Sequence, residues 1–272
     1  MAELVFIEGI SGVGKSTMVH MLSEELQNQG YVVKKYVEFD YENPLDFYCT
    51  AYFTLDKYER LCAEYKSFVG TIHSNTINAG NVRLVRYYNG DIPLFEEPLL
   101  SELCENEFCY KPNRLVPIKE YTSVYKEVWS NYASALDETY DFIILDGSLL
   151  HHPINDMMRN YKIIGEQAIS HVTALLCSLG LVKRHIFYLK TDDISRQLKK
   201  AHCNRGQSVP TDNQIKFWEM RYKNDLIVLN NMQEDYKIYD ISYGNYDLVR
   251  KQIVDDLIYR KKTKINRLDT NF

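Results

Sequence analysis

Long hydrophobic segments are missing from this sequence of 272 residues. No apolar run reaches the roughly 18 residues that a membrane-spanning helix needs, so we expect no membrane anchor. A surplus of basic residues is missing too: 32 lysines and arginines stand against 37 acidic residues, and the formal net charge is −5. Proteins that coat nucleic acids need many positive charges to neutralise phosphates, so we expect no nucleic-acid polymer as a partner.

Paired cysteines are the third absence. None of the six cysteines lies in a Cys-x-x-Cys pattern. This argues against a zinc motif or a disulfide framework, so we expect reduced thiols and a cytoplasmic protein. His151 and His152 are adjacent, but no third ligand is evident, and we do not interpret them as a metal site.

Strand-like and helix-like segments alternate at both ends of the chain. Runs typical of strands lie at residues 4–7, 31–39, 142–145, 185–189 and 236–241. In the segments that begin after residues 14, 160, 192, 210 and 245, apolar residues recur at the spacing of an amphipathic helix. Strands that alternate with helices predict an α/β fold, a parallel sheet with helices on both faces. The length favours one domain, residues 1–272, with insertions.

A glycine-rich loop follows the first strand. Gly9, Gly14, Lys15 and Ser16 satisfy the pattern G-x-x-x-x-G-K-[ST], between a buried strand and a helix as the pattern requires. Glycines let successive N–H groups point at phosphate oxygens, and the helix adds its positive N-terminal end. Lys15 would reach the β- and γ-phosphates, and Ser16 would hold Mg²⁺. The predicted nucleotide contacts are Gly9, Ser11, Gly12, Val13, Gly14, Lys15, Ser16 and Thr17.

Several classes of P-loop protein lack their own motifs here. The sequence contains no Asn-Lys-x-Asp segment, which a GTPase would use to recognise guanine, and no Leu-Ser-Gly-Gly-Gln segment of a transporter ATPase. Motors and helicases usually carry two adjacent acids after their second apolar strand, whereas Asp146 is followed by Gly147. These absences favour a small-molecule kinase.

Residues 6–17, Phe-Ile-Glu-Gly-Ile-Ser-Gly-Val-Gly-Lys-Ser-Thr, resemble the opening of thymidylate kinases and deoxynucleoside kinases. In those families a strand ending in Glu-Gly leads into the same loop. The resemblance implies a P-loop NTPase fold with a five-stranded parallel sheet, ATP as the donor, Mg²⁺, and a nucleoside or nucleotide as the acceptor. Related kinases are often dimers, so it also implies a homodimer.

The resemblance also suggests catalytic acids. In deoxynucleoside kinases a carboxylate at the end of the second strand accepts the proton of the attacking hydroxyl, and Glu38 and Asp40 occupy that place. Strand alternation would point both to the same side, with Glu38 as the first choice. The alternative is that both only face solvent.

Asp146 ends the third apolar strand, where it would hold Mg²⁺, although an acid that caps a turn is the alternative. The related families often have Asp-Arg-Ser or Asp-Arg-Tyr here. This chain has Gly147 in place of the arginine, which leaves the identity of the acceptor open.

Residues 192–207 form a predicted basic lid. Arg196 and Arg205, with Lys200 between them, would close over the triphosphate and stabilise its developing charge. The alternative is a solvated helix face.

The regular alternation is lost between residues 41 and 140, which we interpret as a mostly helical insertion that builds the acceptor pocket. Helical patterns cover residues 45–68 and 122–136, while residues 90–117 are irregular. Arg83, Arg86 and Tyr87 are candidate acceptor contacts, because arginine forks suit phosphates and tyrosine rings suit a planar ring. Arginines on a helix surface are the alternative.

The function predicted from the sequence is an ATP-dependent phosphotransferase that acts on a small-molecule hydroxyl or phosphate. An antibiotic or sugar-nucleotide phosphotransferase on the same fold is one alternative. A nucleotide-dependent switch that hydrolyses slowly and changes partners is another.

Overall fold

The computed structural model describes residues 2–268. Its strands are β1 (Glu3–Glu8), β2 (Val33–Tyr36), β3 (Thr50–Thr54), β4 (Thr76–Ala79), β5 (Val82–Arg86), β6 (Tyr88–Asn89), β7 (Ile92–Pro93), β8 (Phe142–Asp146), β9 (Arg184–Lys190) and β10 (Tyr236–Asp240). Its helices are α1 (Lys15–Asn28), α2 (Leu55–Glu64), α3 (Val69–Ser74), α4 (Leu99–Glu105), α5 (Ile118–Ser134), α6 (His151–Asp156), α7 (Glu166–Ser178), α8 (Ile194–Asn204), α9 (Asp212–Asn231) and α10 (Tyr246–Leu268).

The chain divides into two compact units. The core unit consists of the residues up to Val37, Asp137–His151 and the residues from Val182 onward. The inserted unit consists of Glu38–Leu136 and His152–Leu181. No helix in the described residues is both long enough and apolar enough to cross a membrane.

A five-stranded parallel sheet organises the core unit, in the order β10-β9-β1-β8-β2. Every residue of β1 and β8 is buried. Burial on both faces explains why these strands are continuous apolar runs rather than alternating ones. The predicted fold class, an α/β fold with a five-stranded parallel sheet flanked by helices, is confirmed.

β1 lies at the point where the strand order changes direction. The chain leaves β1 through the glycine-rich loop into α1 and reaches β2 on one side, while β9 pairs with β1 on the other. In open α/β sheets, ligands bind outside the carboxyl ends of the strands at such a point. Four apolar side chains of α1 pack against α10 and the sheet and hold the helix in this position: Met18, Val19, Leu22 and Leu26. Burial of each of these side chains contributes roughly 1.5–3 kcal/mol to stability.

The inserted unit contains a three-stranded antiparallel sheet, in the order β3-β5-β4. The helix predicted for residues 45–68 is therefore wrong in its first half, because β3 occupies Thr50–Thr54 and α2 begins only at Leu55. Ala51 and Phe53 point into a buried cluster, and β3 pairs with β5 along its length. This long-range pairing outweighs the local helical spacing. The predicted helix at residues 122–136 is largely confirmed within α5.

Candidate functional site

The glycine-rich loop turns tightly between β1 and α1. Gly9 has a φ of 143°, and a side chain there would place its Cβ 2.6 Å from the carbonyl oxygen of Leu189. The backbones of Gly9 and Leu189 are so close that only glycine, which has no Cβ, fits at position 9. Val13 is buried, Ser11 is half-buried, and Thr17 is exposed on the first turn of α1. The loop therefore has the sharp turn that a phosphate-binding loop requires.

Lys15 and Ser16 begin α1, at the positive end of the helix dipole. Lys15 is buried, and its Nζ donates to the carbonyl oxygen of Ile10 at 3.3 Å, so the ammonium group lies over the loop. The Ser16 hydroxyl donates to Oδ2 of Asp146 at 2.6 Å. Asp146 is fully buried at the end of β8. A hydroxyl and a carboxylate in contact are oxygen donors of the kind that Mg²⁺ prefers.

Glu8 is a site residue that the sequence interpretation missed. Its carboxylate is fully buried and accepts hydrogen bonds from the backbone N–H groups of Leu149 at 2.8 Å and His151 at 3.0 Å. These bonds tie the end of β1 to the segment that follows β8. A charged residue directly after the apolar run of residues 4–7 was the available signal, because such a group must find partners when buried.

His151 contacts the loop directly. Its Nδ1 lies 3.0 Å from the carbonyl oxygen of Gly9, and because a carbonyl only accepts, Nδ1 carries the proton. The ring stacks on Trp218, with centroids 5.6 Å apart and planes 3° from parallel. His151 thus links the first residue of the loop to Trp218 of α9.

Gly147 explains the missing arginine after Asp146. Its φ is 66°, and an added Cβ would lie 2.8 Å from Cβ of His151 and 3.2 Å from Cε of Lys15. A larger residue would displace the lysine or the histidine. The absence of an arginine at this position therefore has a local physical cause.

A buried ion pair supports the same segment. Arg221 and Asp225 of α9 are fully buried and joined by a 2.7 Å bond from Nε to Oδ1. Arg221 also donates to the carbonyl oxygens of Leu150 and His151, at 2.8 and 3.2 Å. Asp225 accepts a bond from the Tyr188 hydroxyl at 2.8 Å. The sequence alone did not identify this network.

The predicted lid contains α8, and α8 contacts the loop. Gln197 Nε2 donates to the Gly12 carbonyl oxygen at 2.7 Å. Arg196 and Lys200 are exposed and line a cleft of about 430 Å³ between α8 and the loop after β10. Arg205 follows the last residue of α8, is exposed and does not line this cleft. The catalytic role of Arg196 and Arg205 stays a prediction.

Glu38 and Asp40 lie in a turn of the inserted unit. β2 ends at Tyr36, so strand alternation does not fix their directions, and Phe39 between them has a φ of 64°. Oδ1 of Asp40 accepts a bond from the N–H of Glu42 at 2.9 Å, as in an Asx turn. Both assignments as the base stay predictions.

The three candidate acceptor contacts belong to the inserted unit. Arg86 is buried, donates to the carbonyl oxygens of Tyr41, Asn43 and Asp46, and covers the ring of Tyr41. Arg83 folds back onto the carbonyl oxygens of Gly80 and Val82, and Tyr87 is buried in an apolar cluster. Their role in acceptor binding remains a prediction.

The inserted unit also holds a polar cluster that the sequence did not predict. Asp46 accepts bonds from the N–H groups of Phe39 and Tyr48, both at 3.0 Å, and from the Tyr110 hydroxyl at 2.8 Å. The Tyr110 hydroxyl is also within hydrogen-bond distance of Nδ1 of His152. The partners of Asp46 lie up to 64 residues away along the chain, so no local pattern indicates this cluster.

Two nearby acids of the inserted unit have raised pKa values. Burial raises the pKa of Asp156 to about 6. Burial and the charge of Asp156 raise the pKa of Glu107 to about 8. These carboxyl groups change protonation near neutral pH.

No protein-family model matches the chain, and no curated protein sequence is significantly similar to it. The fold is similar to solved structures of low identity. The YorR protein from Bacillus subtilis, in complex with phosphorylated GDP, has a TM-score of 0.46 at 15% identity, covering 95% of this chain and 98% of that chain. A thymidylate kinase from Candida albicans has a TM-score of 0.44 at 14% identity, covering 96% and 92%. A gluconokinase from Sinorhizobium meliloti 1021 has a TM-score of 0.42 at 10% identity, covering 98% and 97%. These likenesses are distant, and no substrate or catalytic residue is transferred from them to this chain.

Proposed function

We propose that the protein transfers the terminal phosphoryl group of a nucleoside triphosphate to a small-molecule hydroxyl or phosphate, with a nucleoside or nucleotide as the acceptor. One observation carries the proposal. The Ser16 hydroxyl and the Asp146 carboxylate, 130 residues apart, meet at 2.6 Å beside a loop with a buried lysine. This is the donor set that a magnesium-bound triphosphate requires.

The chain's own groups would act mainly by position and charge. The N–H groups of the loop would bind the β- and γ-phosphates, and Lys15 would stabilise the charge that develops on the transferred group. Ser16 and Asp146 would hold Mg²⁺, which neutralises phosphate charge when bound. Arg196 and Arg205 would add positive charge from the lid.

The acceptor requires a base or an orienting group. Glu38 is the first candidate and Asp40 the second, because both follow β2, whose carboxyl end lies at the same edge of the sheet as that of β1. The resemblance also suggests ATP as the donor and a homodimer, and the cysteine pattern suggests a cytoplasmic location; the proposed transfer itself does not depend on which triphosphate is the donor.

Label transfer tests the proposed function. The purified protein is incubated with Mg²⁺ and γ-labelled ATP or GTP, with nucleosides, nucleotides, sugars and antibiotics as acceptors. Label on a nucleoside or nucleotide is the expected result. Label on an antibiotic or a sugar-nucleotide would move the function to the alternative phosphotransferase. Equal slow release of inorganic phosphate with every acceptor would contradict transfer and favour a switch protein.

Two conservative variants test the base. Glu38→Gln should slow transfer while triphosphate binding stays the same, because the amide cannot take a proton. Asp40→Asn is the matched variant. An unchanged rate for Glu38→Gln with a slow Asp40→Asn would reassign the base to Asp40.

A further inference from the structure

The cleft beside α8 contains an acid that phosphate binding does not use. Asp192 follows β9 and lines this cleft, with 64% of its side chain exposed. Its backbone N–H donates to the Ser242 hydroxyl at 2.9 Å, and its Oδ1 lies 3.2 Å from Nζ of Lys190. Lys190 also pairs with Asp240 at 2.9 Å. Asp192 is therefore held in place while its carboxylate faces the cleft.

The cleft adjoins the phosphate loop through two of its lining residues. Gln197 donates to the carbonyl oxygen of Gly12, and the Tyr246 hydroxyl donates to that of Val13 at 3.0 Å. The cleft volume of about 430 Å³ is within the range of small-ligand pockets. A triphosphate on the loop can thus extend its nucleoside end into the cleft.

A second acid beside Asp192 is already engaged. Oδ1 of Asp193 accepts a bond from the backbone N–H of Arg196 at 2.8 Å and caps the N-terminus of α8. Arg196 and Lys200 on α8 suit phosphate or ribose oxygens rather than a base donor. Asp192 pairs with Lys190, but 64% of its side chain stays exposed, so it is the acid of this cleft that we assign to a nucleobase.

The chemistry of a carboxylate at the base distinguishes the purines. Guanine presents two adjacent donors, N1–H and N2–H, that one carboxylate can accept together. Adenine presents an acceptor, N1, beside its N6–H donor, so a carboxylate there faces a lone pair. Such a contact rejects the wrong base by repulsion as well as by a lost bond.

We propose that the cleft binds the guanine base of the triphosphate donor and that Asp192 selects guanine over adenine. This inference rests on the proposed function and replaces ATP as the preferred donor. The missing Asn-Lys-x-Asp segment argued against guanine, yet residues 189–192 are Leu-Lys-Thr-Asp and keep the lysine and the acid. Only the asparagine of that segment is replaced.

Equilibrium binding tests the proposal. Isothermal titration with Mg²⁺ and the β,γ-imido analogues of GTP, ATP and xanthosine triphosphate gives three dissociation constants. The guanine analogue should bind about 10- to 100-fold more tightly than the adenine analogue, as a good bidentate base contact allows. In Asp192→Asn the preference should move from guanine to xanthine, because the amide can donate to the C2 carbonyl oxygen of xanthine.

Asp193→Asn is the matched control. It removes the same charge one residue away, and asparagine also caps helices, so the guanine-to-adenine ratio should not change. Equal or tighter binding of the adenine analogue, or the same shift in both variants, would overturn the guanine assignment. The failure of the proposed function looks different: no triphosphate would bind, or a bound triphosphate would transfer no phosphoryl group to any acceptor.

Discussion

The core unit and the inserted unit both bury ionisable side chains, but they treat them differently. In the core unit, Glu8 accepts two backbone N–H bonds, Asp146 accepts the Ser16 hydroxyl, and Asp225 pairs with Arg221. In the inserted unit, burial raises the pKa of Asp156 to about 6 and that of Glu107 to about 8.

The difference follows from the charge of the partners: the cation Arg221 pairs with Asp225, whereas Asp156 accepts bonds from neutral donors, the Tyr110 N–H and the Asn160 amide. Opposite charges and N–H donors favour an ionised carboxylate, whereas desolvation alone favours the protonated form. Burial raises the pKa of Asp225 in the core unit as well, but there the charge of Arg221 and the Tyr188 hydroxyl oppose the rise. In the inserted unit the raised pKa values of Asp156 and Glu107 make protonation depend on pH near neutrality. The two tryptophans allow each unit to be followed separately, because Trp218 belongs to the core unit and Trp129 to the inserted unit.

The largest expected effect is on the buried pair of the core unit. Arg221→Met should lower the free energy of unfolding by about 3–5 kcal/mol, because it leaves the Asp225 carboxylate buried without its cation. Urea denaturation of a variant with Trp218 as its one tryptophan measures the change. Arg250→Met, at a half-buried arginine of α10, is the control and should change much less. A similar loss in both variants would contradict a special role for the buried pair.

The second prediction concerns the charge over the loop. Lys15→Ala should lower kcat for phosphoryl transfer by roughly 10²–10³-fold or more, because a fixed cation at the developing charge is lost. Circular dichroism should show an unchanged fold. Lys35→Ala, on the edge strand β2, should keep the wild-type rate. Normal turnover in a folded Lys15→Ala protein would refute the proposed site.

The parts of the core unit that could be predicted were those with local signals. The motif around Lys15 is contiguous, and Asp146 stands at the end of an apolar strand, so the rule for parallel sheets brings both to one edge. The contacts of Glu8, His151 and Arg221 could not be predicted in the same way. Each of these residues contacts a partner in a distant segment of the chain. The sequence does not indicate which distant residues become buried next to each other.

The inserted unit was less predictable for a related reason. β3 is five residues long, and a short apolar run fits a strand or a helix equally well until its partner is known. Its partner β5 lies about 30 residues later. Arg83 and Arg86, three positions apart on β5, lie on opposite faces of a strand, which the sequence interpretation did not consider.

The third prediction uses the raised pKa of Glu107. Its ordinary value is 4.5, so between about pH 4.5 and 8 the folded state keeps a proton that the unfolded chain releases. Stability should therefore fall as pH rises through that window, by up to about 1.4 kcal/mol per pH unit. Asp156 contributes a slope of the same sign below about pH 6, so Glu107→Gln should remove most of the slope between about pH 6 and 8, as measured by urea denaturation with Trp129 as the reporter. Glu105→Gln, at an exposed acid, should keep the slope, and a steep slope in Glu107→Gln over that range would contradict the assignment.

The smallest expected effect tests whether the core unit positions its loop through His151. His151→Leu removes the bond from Nδ1 to the Gly9 carbonyl oxygen, and a net hydrogen bond of about 1 kcal/mol corresponds to roughly fivefold weaker triphosphate binding. His151→Asn places an amide N–H near the same point and should restore most of the affinity. Titration of the triphosphate measures both variants, and thermal unfolding separates loop geometry from a general loss of stability. If asparagine binds no better than leucine, the ring supports the loop by packing on Trp218 rather than by this hydrogen bond.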